Sequence, residues 1–204
     1  MDRDNNNAIR IFSVESAPFG LQFSEWCVRW VKWCLEQPIE TNPAMDATGR
    51  NCCQNQSGPV WFLAGTFGGP ATRKCTLPME KAIMFPVIEK ECSFAEDKDI
   101  STEADLISRT TDQTSNISHL EASVDGVTLQ DLRRYRVQTH VFDLVFPKNN
   151  VYSVQEGPTR ATSNGFWVFL EPLCVGEHKI YFKGVHRHPD FHTEVTYHLH
   201  IKYI

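Results

Sequence analysis

No stretch of this 204-residue chain approaches the roughly 18 consecutive apolar residues of a helical membrane span, so no such span is expected. Basic residues are also scarce. Twenty Lys and Arg against 25 Asp and Glu leave a formal charge of −5, whereas a general nucleic-acid binder carries a basic face. The local exception, Arg133-Arg134-Tyr135-Arg136, reads as a solvated helix end. The chain lacks a Gly-x-Ser-x-Gly elbow, a Gly-rich phosphate loop opening a helix, and a Cys-x-x-Cys pair. Repeats, low-complexity tracts and an interdomain linker are missing as well, so residues 1–204 read as one domain.

The polar opening Met1–Asn7 has no apolar run behind it and does not read as a secretory signal. A cytoplasmic location is therefore expected, with a secreted mature form as the alternative. Seven cysteines are an odd number and too sparse for a disulfide scaffold. Cys52 and Cys75 flank the first apolar strand, where a pairing is conceivable; reduced core cysteines are the alternative.

What is present is a packed β core. An apolar share of 41%, with 11% aromatic residues, is ordinary for a globular protein. Gly58-Pro59-Val60-Trp61-Phe62-Leu63-Ala64-Gly65 and Ala82-Ile83-Met84-Phe85-Pro86-Val87-Ile88 are short apolar runs bounded by Gly and Pro, which is how buried strands read. Residues 1–22 form an arm and 23–37 a helix, with Ser24 as N-cap, Pro38 as stop, and Trp26, Trp30 and Trp33 on one face. That face docks on the core or offers an aromatic platform to a flat ligand such as a sugar. Residues 38–59 make a long polar loop, a length often tied to function.

Glu89–Asp99 reads as a charged loop, and residues 101 to about 113 as a capped helix inserted in the sheet region. Asp125-Gly126 between Leu120–Val124 and Val127–Leu129 is a hairpin signal. Strands are expected at 139–146, 166–171, 178–183 and 194–203. The run Phe166–Leu170 is apolar on both faces and hence central. The fold class is mainly β: an antiparallel β-sandwich or jelly roll over 60–204, with an N-terminal Trp-rich helix and a second helix in a middle insertion.

The chemistry-bearing residues are few. His186 and His188 form an H-x-H pair, with His192 and Glu194 close behind, a set that a cupin-like jelly roll could turn toward a divalent metal. Solvent-exposed histidines explain the same run. Glu89 and Glu91 could serve as general acid or base in a cleft, or simply mark a charged strand exit. Asp46 and Gln56 of the long loop, Glu91, and the indoles of Trp30 and Trp33 are the binding candidates. The first place to look is where that loop meets Glu91.

The string Asn42-Pro43-x-x-Asp46-x-Thr48-Gly49, continuing through Cys52, Gln56 and Val60–Gly65, resembles a family of uncharacterised microbial proteins of similar length. Cys75, Phe85-Pro86, Glu91-Cys92, Val124-Asp125-Gly126, Gly165-Phe166-Trp167, Pro172-Leu173, Gly176-x-His178 and Val195–Leu199 extend the likeness over roughly residues 26–201. The resemblance implies a shared fold and carries no established activity. The family pattern lacks the His186/His188 pair, and Cys53 is particular to this chain.

Two functional expectations follow. The first is a non-enzymatic β-sandwich module that binds a small molecule, glycan or protein, or assembles with its own copies. The second is a metal-dependent cupin-like enzyme using His186, His188 and His192 or Glu194. No cofactor is firmly implied beyond the divalent metal of the second reading.

Overall fold

The computed structural model describes residues 9–187 and 190–203. Ten strands and two α-helices are present among them. One sheet runs β1 (Val60–Phe62), β3 (Ala82–Ser93), β8 (Gly157–Leu170) and β6 (Arg136–Gln138), with β7 (Phe142–Phe146) also on β8. The other runs β2 (Gly69–Pro78), β10 (Phe191–Lys202), β9 (Gly176–His186), β4 (Ile117–Val124) and β5 (Val127–Thr128). The two sheets form a β-sandwich. Both are mixed, because β1 runs parallel to β3 and β2 parallel to β10, while the other pairs are antiparallel.

Between the sheets lie Ile83, Phe85, Val87, Val168 and Leu170 from one side and Leu77, Ile180, Phe182, Val195, Tyr197 and Leu199 from the other. Phe85 and Phe182 stack across the interface with ring centroids 4.7 Å apart. The first sheet is covered on its other face by α1 (Phe23–Leu35), so its strands are buried twice. That is why β3 and β8 read as near-continuous apolar runs rather than alternating ones.

All three tryptophans of α1 are buried, and each indole N–H is spent on a backbone carbonyl: Trp26 on Pro18, Trp30 on Leu63, Trp33 on Gln54. The helix starts one residue before Ser24, and its N-cap position is Gln22, which makes no side-chain cap. The second helix, α2 (Glu103–Ser115), begins two residues later than expected, capped by Thr102 and Asp105 in a reciprocal capping box. The Asp125-Gly126 hairpin joins β4 to β5 with both residues at positive φ, 52° and 81°, as a two-residue turn of this kind requires.

One expectation changes and one strand is added. Gly69–Pro78, which holds Arg73-Lys74-Cys75, is a ten-residue strand whose less buried positions include Thr72, Lys74 and Thr76. The segment after Ile88 is no loop: β3 continues to Ser93, carrying Glu89 and Glu91 into the interior.

Candidate functional site

A register shift in β3 builds the site. The pairing with β8 slips between Pro86 and Ile88. Met84 packs on the α1 side, whereas Ile83, Phe85 and Val87 face the second sheet. Strict alternation would send Ile88 to the α1 side. Instead Ile88 also faces the second sheet, so close to β9 that a Cβ on Gly184 would overlap it. One extra residue thus reverses the parity, and Glu89 and Glu91 end on the α1 side of the sheet.

There they border a cavity of about 270 Å³ roofed by Trp30, Cys34 and Leu35 of α1. Ala44 of the long loop closes one side, and Phe67, Tyr152 and Phe191 supply aromatic wall. Glu96, from the turn after β3, completes a trio of carboxyl groups. Lys90 places its ammonium 4.2 Å from the centre of the Phe191 ring.

The electrostatics of the trio follow from burial. Burial pushes the Glu89 carboxyl up to about 7, against the opposing hydrogen bond that Ser163 Oγ donates at 2.8 Å. Glu91 is 9% exposed and is pushed well above the ordinary carboxyl range, first by burial and then by the neighbouring charges of Glu96 and Glu89. Glu96 is raised by burial, and the hydrogen bonds from Glu91 and from Ser93 Oγ, the latter 2.7 Å, pull the other way.

Counted as an ionised group, Glu91 has no donor for either oxygen. Glu91 and Glu96 become hydrogen-bond partners only when a proton lies between them. The state that fits is a protonated Glu91 donating to Glu96, a shared-proton carboxyl pair in a closed-in cleft. Several donors around the cavity are engaged within the fold, while Lys90, Tyr152 and the Gln113 amide also line it. Thr66 N–H bonds Thr193 Oγ1 and Thr66 Oγ1 bonds the Gly69 carbonyl; the Trp30 indole is held by Leu63. Burial drives the Cys34 thiol far up, so it stays protonated.

Of the residues singled out in the sequence, the structure brings Trp30, Glu89 and Glu91 to this one cavity. Asp46 instead receives the Thr48 and Asn51 N–H groups, each at 2.8 Å, and shapes its own loop. Gln56 brackets Phe62, accepting from its N–H at 3.0 Å and donating to its carbonyl at 2.8 Å. Trp33 faces a separate cleft with Arg29, Lys32 and Glu36. Cys52 and Cys75 are joined in a disulfide with Cα atoms 6.1 Å apart. Cys53 lies beside it, Sγ to Sγ 3.7 Å from Cys52.

The C-terminal histidines are divided between faces. His186 is buried under α2, its Nε2 2.9 Å from the Gln113 carbonyl oxygen. His192 and Glu194 sit at the opposite parity from the inward Thr193 and Val195, and Glu194 is held by Lys183 at 3.0 Å and Tyr181 at 3.2 Å. His188 lies outside the described residues. Among the described residues, the convergent set of three metal-ligating side chains is Cys52, Cys53 and Cys75, two of which form the disulfide.

Sequence reasoning passed over Glu96 and Tyr152, and also a Cys174–His178–Asp125 constellation. His178 Nδ1 is 2.6 Å from Asp125, and Nε2 is 3.7 Å from Cys174 Sγ. The order is that of a nucleophilic triad. Here, though, Nε2 is 2.9 Å from the Cys174 carbonyl oxygen, and Asp125 Oδ1 accepts the Lys179 N–H at 2.7 Å. The group ties the β4–β5 turn to the segment entering β9. The Asp-Gly turn and Gly176-x-His178 were its visible traces.

The chain matches no protein-family model, and neither the curated proteins nor the solved structures give a significant match.

Proposed function

We propose that this chain is a non-enzymatic binding module that takes a small ligand into the cleft between α1 and the C-terminal half of β3. The observation that carries this reading is Glu91: a carboxyl nine-tenths buried, lining a cavity, with no donor for either oxygen. Its ionised form, left unmet, costs about 1–3 kcal/mol, and a ligand that supplies donors removes that cost. An aromatic-walled hollow with a few convergent polar groups is the usual form of a small-molecule site.

Binding is favoured over catalysis by the accounting of donors. The Ala64 and Thr66 N–H groups and the Thr66 hydroxyl, which could stabilise a developing oxyanion, are spent in the fold. The thiol in the cavity wall stays protonated. The metal-enzyme reading has less support, since His186 lies on the opposite face from His192 and Glu194.

Ligand-observed NMR with a fragment library tests the reading. Fragments should bind the wild type and lose their signal with Glu91→Gln, which keeps the shape of a protonated Glu. If no fragment distinguishes the two proteins, the cleft is not a ligand seat.

A further inference from the structure

The wall of the cleft is rich in acceptors, with Lys90, Tyr152 and the Gln113 amide as its open donors. Ionised, Glu91 has no donor for either oxygen; Ser163 donates to Glu89 and Ser93 to Glu96. The Gln113 side-chain oxygen, also lining the cavity, is unmet as oriented. A ligand group that meets Glu91 must therefore bring donors rather than acceptors.

The rest of the wall narrows the class. Trp30, Phe67, Tyr152 and Phe191 present aromatic rings around the carboxyl trio, with Phe67 and Tyr152 edge to face at 5.7 Å. Carboxylates combined with aromatic faces favour an organic cation, because both attract positive charge once water is excluded. A bare divalent ion is a poor fit, since the carboxylate oxygens of Glu89, Glu91 and Glu96 are not among the convergent ligand sets of the described residues. The volume, about 270 Å³, lies just below the roughly 300–1,000 Å³ of drug-sized sites and limits the ligand to a short skeleton.

Resting on the binding reading above, we propose that the cleft seats a small organic cation, a primary ammonium or guanidinium on a short carbon chain. Its N–H groups bond Glu91 and Glu96, and its carbon chain lies against Trp30 and Tyr152. The cation takes the place of the proton between Glu91 and Glu96, so binding releases that proton to solvent. Charge is conserved: one positive charge enters and one leaves. The Lys90 ammonium, over Phe191, offsets part of the Glu89 charge and leaves Glu91 and Glu96 to the ligand.

Isothermal titration calorimetry tests this with n-butylammonium, n-butylguanidinium, neutral 1-butanol and xylose, each against wild type, Glu91→Gln and Phe67→Ala. Phe67 is 40% exposed, so its truncation spares the core. The cations should bind about tenfold or more tightly than 1-butanol. They should weaken about tenfold with Glu91→Gln and about threefold with Phe67→Ala. Titrations in two buffers of different ionisation enthalpy should give close to one proton released per cation at pH 6, and affinity should rise from pH 5 to pH 8. If 1-butanol or xylose binds, is lost with Glu91→Gln, and the cations do not bind, the cation assignment fails while the binding reading stands. If none of the four binds in a Glu91-dependent way, both fail.

Discussion

Arg73 Nη1 lies 2.8 Å from the Tyr197 hydroxyl, with both side chains almost fully buried between β2 and β10. The guanidinium is not matched by a carboxylate in this contact set. It donates instead to the backbone carbonyls of Ala44, Asp46 and Ala64. One cation thus fastens the long loop and the segment after β1 to the second sheet. Ala44 and Gly65, which border the cavity, are held in place by it.

Replacing this clip should loosen the loop. Arg73→Met leaves the Ala44 and Asp46 carbonyls unmet, at about 1–3 kcal/mol each, while Tyr197 still donates to Ala64, and should destabilise the protein by about 2 kcal/mol or more in urea. Limited proteolysis should then cut within residues 38–59 before the sheets. Arg73→Lys keeps the charge but cannot reach all four acceptors, and should recover only part of the loss.

Stability should fall as pH rises from about 5 to 7. The Glu89 carboxyl titrates near 7 in the folded chain and near 4.3 when unfolded. In that window the folded state holds a proton that the unfolded state has released, so ΔG of unfolding declines with pH. Each such group contributes a slope of about 1.4 kcal/mol per pH unit. The raised carboxyls of Glu91 and Glu96 act in the same direction. Urea titrations at pH 5, 6 and 7 check this, and Glu89→Gln should flatten the slope. A stability that climbs across the window would contradict it.

The parity switch in β3 depends on the close approach of Ile88 to Gly184. Gly184→Ala would place a Cβ into the Ile88 side chain and the Val87 carbonyl, at a cost of about 1–3 kcal/mol. Because the strain falls at the bulge, ligand binding should weaken along with stability. An equal stability loss from a core Leu→Ala change in another part of the sandwich should leave binding intact.

The disulfide between Cys52 and Cys75 closes a loop with a sequence separation of 23, worth about 3 kcal/mol of chain entropy. Thiol titration of the denatured, unreduced protein should count five free cysteines, Cys27, Cys34, Cys53, Cys92 and Cys174. A count of seven would contradict the bond.

The fold was legible where pattern and burial agree. Val60–Phe62 sits in the core as its apolar run suggests, and Phe166–Leu170 is central because α1 and the second sheet bury both its faces. The parallel pairings of β1 with β3 and β2 with β10 left no local trace, since they join segments distant in the chain. Arg73 was missed because a buried guanidinium satisfied by backbone carbonyls has no partner visible in sequence. The site was half legible. Trp30, Glu89 and Glu91 stood out as individual residues, but Glu89–Ser93 read as a loop. Charged side chains ordinarily avoid a strand buried on both faces, and nothing local announces the bulge that turns them toward α1. Glu96 follows from the turn that ends β3, whereas Tyr152 reaches the cavity through long-range packing.

Glu91 is a buried carboxyl that holds a proton until a cation displaces it. The most direct measurement is the pH titration of its side-chain carboxyl by carbon-13 NMR, assigned with Glu91→Gln, with and without n-butylammonium. Glu91 should titrate well above the ordinary carboxyl range in the free protein and lose its proton at lower pH when the cation is present. Titration near 4.3, unmoved by the cation, would contradict it.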